Sequence, residues 1–569
     1  MRGKRRVATP LVLVLATSMS LVACAPAMPE TVVQGTAVTV GWTNEFTSAN
    51  PAASPTSGNI DIAEATRGDF GDVIDGEFVP DEGFGKITIV NEDPFTVQYD
   101  LAEPSWSDSV PLDAADLLLG WAGVSGYFAD SENADSSSEE PTAIPAVPSV
   151  DEFARSIKVT FPAPVMDWQQ AATVPVAAHV VGSRALGIDD PMEAKQAVIR
   201  AIQEDDTKAL AAISKVWNEG FQLPDRDELP ADLLVSSGPF QVEEVSSTDN
   251  GQSITLVPNS AYRGLVTPQV ARIELVPPPD DPVTAVGDLL DIAQVAPVAS
   301  NQAPIHELER RDFTVSTTYD GTIWAMLLNP VGFFTPQQAR SAFIHAVQAS
   351  AVTQRGAGAW ASAYTATTSM VAAPGSRAYD IVNEDSGFAQ KLGAPAGEPA
   401  LERESAGLSA GSPVCVLYDR RSEFASGAFA ALRDTAAEAG WSVVDCGSDD
   451  FDAALAQRGW DAVITRVPVP QTTEQISAQW GSAGTASITQ NADPERDALI
   501  AQLEQTTDVY KAREVRAQIE ATIVNAAVAL PLAANPRVTI VDPGVSGVTP
   551  RSGAAAPLTS GVSQWAVVP

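Results

Sequence analysis

A segment in the C-terminal half of the chain constrains the fold more than any other part of the sequence. Apolar runs at Val414–Tyr418, Trp441–Cys446 and Asp461–Thr465 predict three strands. The stretches between them, Phe424–Ala439 and Asp450–Gln457, have helical periodicity, and a glycine follows the first of them. Alternating strands and helices predict parallel strands joined by right-handed crossovers, which form the core of an α/β lobe.

Length and composition indicate how much more the chain contains. It has 569 residues, more than a single ordinary hydrophobic core supports, so at least two lobes are expected. Its 45% hydrophobic and 19% charged residues are typical of a chain that folds in water. Asp and Glu number 72 against 34 Lys and Arg, which gives a formal net charge of -38. So acidic a surface repels phosphate backbones, which argues against nucleic-acid binding.

The N-terminus has the pattern of an export signal. The basic segment Met1–Arg6 precedes an apolar stretch, Ala8–Val22, that is shorter than the roughly 20 residues of a membrane-spanning helix. Leu21-Val22-Ala23-Cys24 resembles the lipobox of bacterial lipoproteins, in which the cysteine is lipidated and becomes the new N-terminus. An ordinary signal peptide with a chance cysteine is the alternative.

These features predict an extracytoplasmic protein that is held on the cell membrane by a lipid. We expect a signal peptide over residues 1–23, lipidation at Cys24 and a tether over residues 24–35. No later segment of the sequence is apolar for long enough to span a bilayer.

The remaining cysteines, Cys415 and Cys446, fall on neighbouring predicted strands. In an exported protein they can form a disulfide, and two buried free thiols are the alternative. The histidines are His179, His306 and His345, and they lack the spacing of a zinc site. We therefore expect neither a metal nor another cofactor.

The chain contains one match to the Gly-x-Ser-x-Gly pattern of serine hydrolases, at Gly407-Leu408-Ser409-Ala410-Gly411. A nucleophile elbow follows a strand and opens a helix, whereas this match lies in a predicted loop that precedes a strand. Neither the P-loop motif nor the Gly-x-Gly-x-x-Gly motif occurs. The sequence therefore predicts a protein that is not an enzyme.

A series of segments resembles the family 5 solute-binding proteins, which are the extracytoplasmic components of peptide and nickel ABC importers. The matching segments, in the order of the family, are Thr96–Gly120, Ser237–Phe240, Gln252–Leu256, Asn259–Gly264, Gly287–Ala293, Leu328–Asn329, Ala339–Phe343 and Ala529–Leu532. No single motif is strong, but together they follow the order of the family behind a lipobox. The resemblance covers most of the chain after the predicted tether.

The resemblance implies an α/β, two-lobed, periplasmic-binding-protein-like (type II) fold with an extra subdomain inserted in lobe I. The implied division is 36–60 lobe I, 61–150 inserted subdomain, 151–285 lobe I, 286–524 lobe II and 525–569 the C-terminal return to lobe I. It also implies capture of an oligopeptide or another small solute between hinged lobes and delivery to ABC permease subunits in the membrane. A monomer is expected.

Aromatic residues near strand ends supply candidate ligand-binding positions. Trp at the rim of a lobe suits a ligand cleft because it offers a broad apolar face with a polar edge, although core packing is the more frequent role. The candidates are Trp42, Asn44, Glu45, Phe46, Trp360, Tyr364, Arg466 and Trp480.

The sequence departs from the family after the strand at Asp461–Thr465. The family commonly has Trp-x-x-Asp-x-x-Asp-Pro there, and one Asp can pair with the amine of a peptide ligand, whereas this chain has Arg466-Val467-Pro468-Val469-Pro470. Arg466 would favour a ligand carboxylate or another anion, and a solvent-facing arginine is the alternative. The departure also favours a second function, an envelope lipoprotein of the same fold that acts as a regulator or scaffold in cell-surface assembly without transport.

Overall fold

A computed structural model describes residues 28–74, 76–128, 146–150, 154–223, 229–393, 395, 397–553 and 556–568. The predicted signal peptide, the predicted lipidation site at Cys24 and the first residues of the predicted tether lie outside the described residues. Within the described ranges, no helix combines the length and the apolar character needed to cross a membrane.

The first half of the chain builds lobe I and its insertion. The elements, in chain order, are β1 (Val33–Gly41), α1 (Ser57–Thr66), β2 (Gly71–Ile74), β3 (Glu77–Pro80), β4 (Gly85–Glu92), β5 (Phe95–Leu101), α2 (Ala114–Val124), β6 (Ser156–Thr160), α3 (Ala178–Leu186), α4 (Pro191–Gln203), α5 (Thr207–Glu219), β7 (Phe240–Thr248), β8 (Gly251–Pro258), β9 (Val270–Val276), α6 (Pro282–Ala285), β10 (Ile292–Val295) and α7 (Ala299–Glu309).

The second half builds lobe II and then returns to lobe I. Its elements are β11 (Thr314–Leu328), α8 (Gln337–Ala346), α9 (Ala349–Ala357), β12 (Thr365–Ala366), α10 (Tyr379–Asp385), α11 (Phe388–Lys391), α12 (Pro399–Ser405), β13 (Pro413–Tyr418), α13 (Glu423–Glu438), β14 (Ser442–Asp445), α14 (Phe451–Gln457), β15 (Ala462–Pro468), α15 (Thr473–Trp480), α16 (Pro494–Glu504), α17 (Val509–Ala526), β16 (Ala529–Val541), β17 (Val545–Ser546) and β18 (Ala566–Val567).

One mixed sheet runs through both lobes. Its strand order is β14-β13-β15-β11-β16-β10-β1-β9-β8-β7, and β12 also pairs with β16. Lobe I contributes the side from β10 to β7, where β1 runs parallel to β9 and β10. Lobe II contributes the side from β14 to β15. The long antiparallel strands β11 and β16 belong to both sides and connect them.

Lobe II contains the predicted alternation of strands and helices. β13 is parallel to both β14 and β15, and helices cover both faces of these strands, as expected for a parallel arrangement. Helix α13 begins where the Ser422 hydroxyl accepts a hydrogen bond from the Ala425 N–H, and it ends before Gly440, whose φ is +80°. A disulfide with an S–S distance of 2.05 Å joins Cys415 of β13 to Cys446, which follows β14.

The inserted part of lobe I contains a small antiparallel sheet, β4-β5-β6, and a buried ion cluster. Asp113 caps α2, because its Oδ1 accepts a hydrogen bond from the Ala115 N–H at 2.9 Å. Lys195 of α4, which is 1% exposed, lies 3.0 Å from the Asp113 carboxylate and 2.8 Å from that of Asp116. The lysine offsets the burial of both carboxylates and ties α2 to α4.

Strand pairing can be set beside the predicted division of the chain, whose lobe boundaries stay a prediction. Residues 33–35 lie in β1 and not in the tether, and β6 completes the small sheet, so the insertion continues past residue 150. β10 pairs with β1 and β16, so the chain is still in lobe I after residue 286. The register of β11 against β16 changes at residues 320–322 and 535, and we use this change to define the crossing between the two sides of the sheet.

Candidate functional site

The two crossing strands change register where they pass between the lobes. Residues 314–319 of β11 pair with residues 541–536 of β16, and pairing resumes between Ile323 and Ala534, so residues 320–322 oppose Asn535 alone. Gly321 has a φ of +86°, which glycine adopts without steric cost. Extra residues in one strand form a bulge, which bends the strand and redirects its side chains.

Asp320 is the centre of a hydrogen-bond network at this bulge. Its Oδ1 accepts hydrogen bonds from the Thr322 backbone N–H at 2.9 Å and from the Thr322 hydroxyl at 2.6 Å. Its Oδ2 accepts a hydrogen bond from Asn535 Nδ2 at 2.7 Å and lies 3.5 Å from Nη1 of Arg466 in β15. The Oδ1 of Asn535 accepts a hydrogen bond from Trp324 Nε1 at 2.8 Å. The network therefore joins side chains from β11, β15 and β16.

Three aromatic rings stack beside the network. Tyr364, which precedes β12, stacks on Phe424 of α13 with ring centroids 4.9 Å apart, and Phe424 stacks on Trp324 at 4.4 Å. The guanidinium carbon of Arg466 lies 6.0 Å from the centroid of the Trp324 ring, at the limit of a cation–π contact. Burial, and then the charge of Asp320, raises the pKa of Tyr364 to about 12, so its hydroxyl remains a donor at neutral pH.

We refer to Asp320, Trp324, Tyr364, Phe424, Arg466 and Asn535 as the crossing site. The site combines the apolar faces of the stacked rings with two charged groups. The carboxylate of Asp320 is held by hydrogen bonds, and the guanidinium of Arg466 is accessible to solvent. The Arg466 side chain is 54% exposed, whereas that of Asp320 is 20% exposed. Arg466 can therefore bind a carboxylate or another anion through paired hydrogen bonds.

Two of the predicted ligand-binding residues, Tyr364 and Arg466, meet at the crossing site. Trp360 lies at another contact between the lobes, where its Nε1 donates a hydrogen bond to the Val298 carbonyl at 2.8 Å and its ring packs against a lobe I cluster. Trp480 is 3% exposed in the core of lobe II. Trp480 therefore has the packing role that is usual for a buried tryptophan.

The four predicted residues that follow β1 lie around α1 instead. Trp42 Nε1 and Asn44 Nδ2 each donate a hydrogen bond to Asp61 Oδ2 at 2.8 Å. Trp42 and Phe46 are buried in the core of lobe I, and Glu45 is exposed. Trp42, Asn44 and Phe46 therefore make their contacts around α1, within lobe I.

Arg537 of β16 lies within electrostatic reach of two carboxylates, that of Asp61 beside Trp42 and Asn44 and that of Asp320 in the crossing site. This half-buried guanidinium experiences the charges of both Asp320 and Asp61, and burial lowers its pKa. Asp61 also accepts a hydrogen bond from the Leu558 N–H at 3.1 Å, which ties the C-terminal segment to α1. The two carboxylates therefore share a neighbouring cation, although they lie on different elements.

Sequence analysis missed Asp320, Trp324, Phe424 and Asn535. The Asp320-Gly321 pair is a turn signal inside a long strand, and it could have indicated a bulge. The other residues have no local signal, because their role depends on the pairing of strands that are far apart in the sequence.

The lobes also meet at the hairpin formed by β2 and β3. Glu77 of β3 accepts a hydrogen bond from Arg513 Nε of α17 at 2.8 Å, and it lies 3.4 Å from Arg377 Nη1. The Glu77 and Arg513 side chains are 14% and 13% exposed. Nearby, the Met166 N–H donates a hydrogen bond to the Glu504 carbonyl at 2.8 Å. These contacts hold the lobe I hairpin against lobe II.

The features that would indicate a metal or a hydrolase do not assemble within the described part of the chain. Those residues contain no group of three or more His, Cys, Asp and Glu side chains that could hold a metal. Each histidine lies beside a different carboxylate: His179 beside Asp108, His306 beside Glu309, and His345 beside Glu402. The motif around Ser409 lies between α12 and β13, ahead of a strand, so it does not form a nucleophile elbow.

No family model matches the chain. The chain is similar to an uncharacterized lipoprotein of Mycobacterium leprae, 28% identical over 283 residues, which are 48% of this chain and 47% of that protein. It is also similar to an uncharacterized lipoprotein of Mycobacterium tuberculosis, 29% identical over 196 residues, or 33% of each chain. The alignments therefore span about half or less of the length of these relatives.

Solved structures match nearly the whole chain. The periplasmic EDTA-binding protein EppA has a TM-score of 0.75 at 16% identity, with 97% of this chain and 100% of that chain covered. The ABC transporter substrate-binding protein CtaP of Listeria monocytogenes has a TM-score of 0.70 at 15% identity, with coverage of 93% and 99%. The oligopeptide-binding protein AppA of Bacillus subtilis, solved with a nonapeptide, has a TM-score of 0.61 at 11% identity, with coverage of 94% and 99%. At such low identity the likeness establishes the fold, and it confirms the predicted periplasmic-binding-protein-like architecture.

Proposed function

We propose that this chain is a lipid-anchored, extracytoplasmic solute-binding protein of the family 5 class. It captures an oligopeptide or a similar solute between its two lobes and delivers the solute to an ABC permease in the membrane. The fold of EppA, CtaP and AppA supports the binding role, and the similarity to mycobacterial lipoproteins supports the anchor at Cys24.

The observation that carries this proposal is the position of the crossing site. Its polar centre lies on β11 and β16, at the residues where both strands pass between the lobes. Its aromatic rings and Arg466 come from lobe II. A solute bound there meets the part of the protein that must bend when the lobes close. Binding that is stronger in the closed arrangement would shift the population toward it.

The crossing site also favours binding over catalysis. Stacked rings provide contact area for varied side chains, and Arg466 can fix one anionic group. AppA, which has the same fold, was solved with a nonapeptide, so this architecture can accommodate a peptide in at least one protein.

Native mass spectrometry of the gently purified full chain, released from detergent, tests the proposal. We expect co-purified mass, such as a ladder of peptides, that disappears on denaturation. Arg466→Gln should reduce the bound fraction, whereas Arg420→Gln should not. Arg420 is a matched control, because its side chain is 48% exposed and lies 3.3 Å from Asp445 in the same lobe.

A clean apo mass that also stays unshifted against peptide pools would contradict the proposal. That result would favour the alternative function, a regulator or scaffold of the same fold, to which the absence of the family's Asp-Pro motif also points.

The anchor requires a separate experiment. We expect wild-type protein in the membrane fraction with incorporated fatty acid, and Cys24→Ser protein without the label. Labelling that persists in Cys24→Ser would contradict lipidation at this residue, whether or not the chain binds a solute.

A further inference from the structure

The first described residues of the chain are fastened to the loop between β8 and β9, residues 259–269. The Thr31 hydroxyl donates a hydrogen bond to the Pro268 carbonyl at 2.7 Å, and it lies 3.0 Å from the Thr267 hydroxyl. The Val33 N–H, at the start of β1, donates a hydrogen bond to the Gln269 carbonyl at 2.9 Å. The chain therefore enters lobe I along this loop.

The β8–β9 loop exposes two adjacent apolar side chains. Leu265 is 79% exposed, more than any other large hydrophobic residue in the described part of the chain, and Val266 is 42% exposed. Single exposed apolar residues are common on soluble proteins and need no explanation. An adjacent pair at the point where the chain enters lobe I is a different case, because a membrane anchor on the preceding segment would decide what this surface faces.

Buried hydrogen bonds fix the backbone of the loop. The Asn259 side chain, which is 0% exposed, accepts a hydrogen bond from the Ala261 N–H and donates one to the Gly238 carbonyl, both at 2.9 Å. Leu265 packs closely over the turn before β4, where a Cβ added to Gly83 would lie 2.9 Å from the Leu265 Cγ. The loop therefore presents Leu265 in a defined position, so little chain entropy is lost when a partner covers this side chain.

The proposed anchor at Cys24 limits the distance between this loop and the membrane. Cys24 and Thr31 are seven residues apart in the sequence. A chain spans at most about 3.6 Å per residue, so Thr31 lies within about 25 Å of the lipidated residue. Thr31 contacts Thr267, and Leu265 precedes Thr267 by two residues. The exposed pair therefore stays close to the bilayer surface, whatever the conformation of the intervening segment.

The charges around the loop favour an apolar contact over an electrostatic one. Arg263 is exposed, and its guanidinium donates a hydrogen bond to the Tyr262 carbonyl at 2.9 Å. Asp81 and Glu82 are exposed in the turn that Leu265 covers. Burial, and then the charge of Asp81, raises the pKa of Tyr262 to about 12, so this carboxylate acts on the loop as well. One cation beside two carboxylates gives no net attraction to anionic lipids.

We propose that the β8–β9 loop is a second membrane contact, in which Leu265 and Val266 enter the interfacial region of the outer leaflet beside the lipid anchor. The inference goes beyond solute capture, although it rests on the anchor of the proposed function. Removal of apolar side chains from water favours the contact. Arg263 can extend its charged end toward the lipid phosphates while the apolar pair is buried. A lipid alone leaves the protein free to rotate, whereas a second contact gives lobe I a fixed orientation on the membrane.

Fluorescence quenching by labelled lipids tests the inference on the mature lipidated protein in phosphatidylcholine vesicles. A dye is attached to Gln269→Cys, which is exposed and supplies the only free thiol once Cys24 is lipidated, because the other two cysteines form a disulfide. We expect phosphatidylcholine with a nitroxide on its head group to quench the dye. Leu265→Ser combined with Val266→Ser should lower the ratio of docked to undocked protein, read from the quenched fraction, about tenfold.

Leu289→Ser is the matched control for the double serine variant. Leu289 is also an exposed leucine of lobe I, at 68%. It lies near the opposite end of β1, because the Asp291 N–H donates a hydrogen bond to the Thr39 carbonyl. The nine residues of β1 separate the two ends by about 25 Å. With the dye at the same position, Leu289→Ser should keep the quenching of the wild type.

No quenching in the wild type, or equal quenching in the double serine variant, would overturn the inference and leave the exposed pair for a protein partner. Loss of quenching in Leu289→Ser would also overturn it, because the effect would not depend on the loop. Quenching that requires phosphatidylglycerol, or that disappears in concentrated salt, would show an electrostatic contact and contradict an apolar one.

Failure of the anchor gives a different result from failure of the loop contact. Without lipidation the protein would be absent from the vesicles, which overturns both the anchor and this inference. If the loop contact alone fails, the protein remains on the vesicles and its dye stays unquenched. The two failures are therefore distinguishable, and neither measurement depends on whether a solute is bound.

Discussion

The lobes meet in two places that differ in how completely their polar groups are satisfied. At the crossing strands, Asp320, Asn535 and Trp324 form a network in which each side chain has a partner. At the β2–β3 hairpin, Glu77 is paired, but the neighbouring Arg516 keeps an Nε without a partner among the described residues. Crossing strands stay together when the lobes separate, so their polar groups can be paired permanently. In the proposed opening of the lobes the docked surfaces come apart, and closure brings their polar groups together again.

Asn535→Ala is expected to have the largest effect on stability, because the crossing network depends on both ends of this side chain. The change removes the acceptor of Trp324 Nε1 and the donor to Asp320. Trp324 Nε1 is then left without a partner, and Asp320 loses one charge-assisted hydrogen bond while it keeps those from Thr322. Together these losses cost about 2–4 kcal/mol of unfolding free energy. Urea unfolding, followed by tryptophan fluorescence, measures the loss.

Asn44→Ala is the matched control for this change. Its partner Asp61 keeps hydrogen bonds from Trp42 and Leu558, so we expect a loss of about 1 kcal/mol or less. If the two variants lose the same free energy, the network at the crossing has no special role in stability.

Glu520→Gln tests the other buried charge on α17. Glu520 is 1% exposed and accepts hydrogen bonds from the Ser369 hydroxyl and from the backbone N–H groups of Met370 and Val371. Burial nevertheless raises the pKa of Glu520 from 4.5 to about 7. Between these values the folded state binds more protons than the unfolded state, so this carboxyl lowers the unfolding free energy as pH rises.

The glutamine variant should lack this part of the pH dependence. From pH 4.5 to pH 7, the wild type should lose about 2 kcal/mol more unfolding free energy than Glu520→Gln. Denaturant unfolding at a series of pH values measures the difference. Glu243→Gln, an exposed control, should follow the wild type. Parallel curves for wild type and Glu520→Gln would refute the assignment.

Glu77→Gln should loosen the docked hairpin while affecting global stability little. The pair with Arg513 is partly buried, but the hairpin can detach without unfolding either lobe, so we expect a loss of about 1 kcal/mol or less. The radius of gyration of the solute-free protein, measured by small-angle X-ray scattering, should increase. An unchanged radius, equal to that of the Glu243→Gln control, would mean that this ion pair does not hold the lobes together.

Arg466→Gln should have the smallest effect on stability and a large effect on binding. Its side chain is mostly exposed, so the unfolding free energy should change by less than about 0.5 kcal/mol. Affinity for a carboxylate-bearing peptide should fall about tenfold, because a charged hydrogen bond is lost. Isothermal titration calorimetry beside Arg420→Gln separates this effect from a general loss of positive charge. Equal affinity of Arg466→Gln and Arg420→Gln for the peptide would show that Arg466 does not bind the ligand.

Sequence analysis succeeded where a feature depends on residues that are close together in the chain. The strands and helices between β13 and β15 follow the predicted alternation, and Gly440 follows α13 as the sequence indicated. Both features depend on residues that are neighbours in the chain. The pairing of β10 with β1 could not be predicted, because it brings together segments that are distant in the sequence.

The sequence by itself determined the alternating strands and helices from β13 to β15, the glycine after α13 and the export pattern at the N-terminus, because neighbouring residues carry these signals. Only the tertiary structure decided that Tyr364 and Arg466 meet at the crossing while Trp480 is buried in a core. It also decided that Arg516 has few hydrogen-bond partners among the described residues, because the environment of a buried charge is set by the groups that surround it. Those groups come from the loop after β15, from the loop before α10 and from the lobe I hairpin, and only the folded chain brings them together.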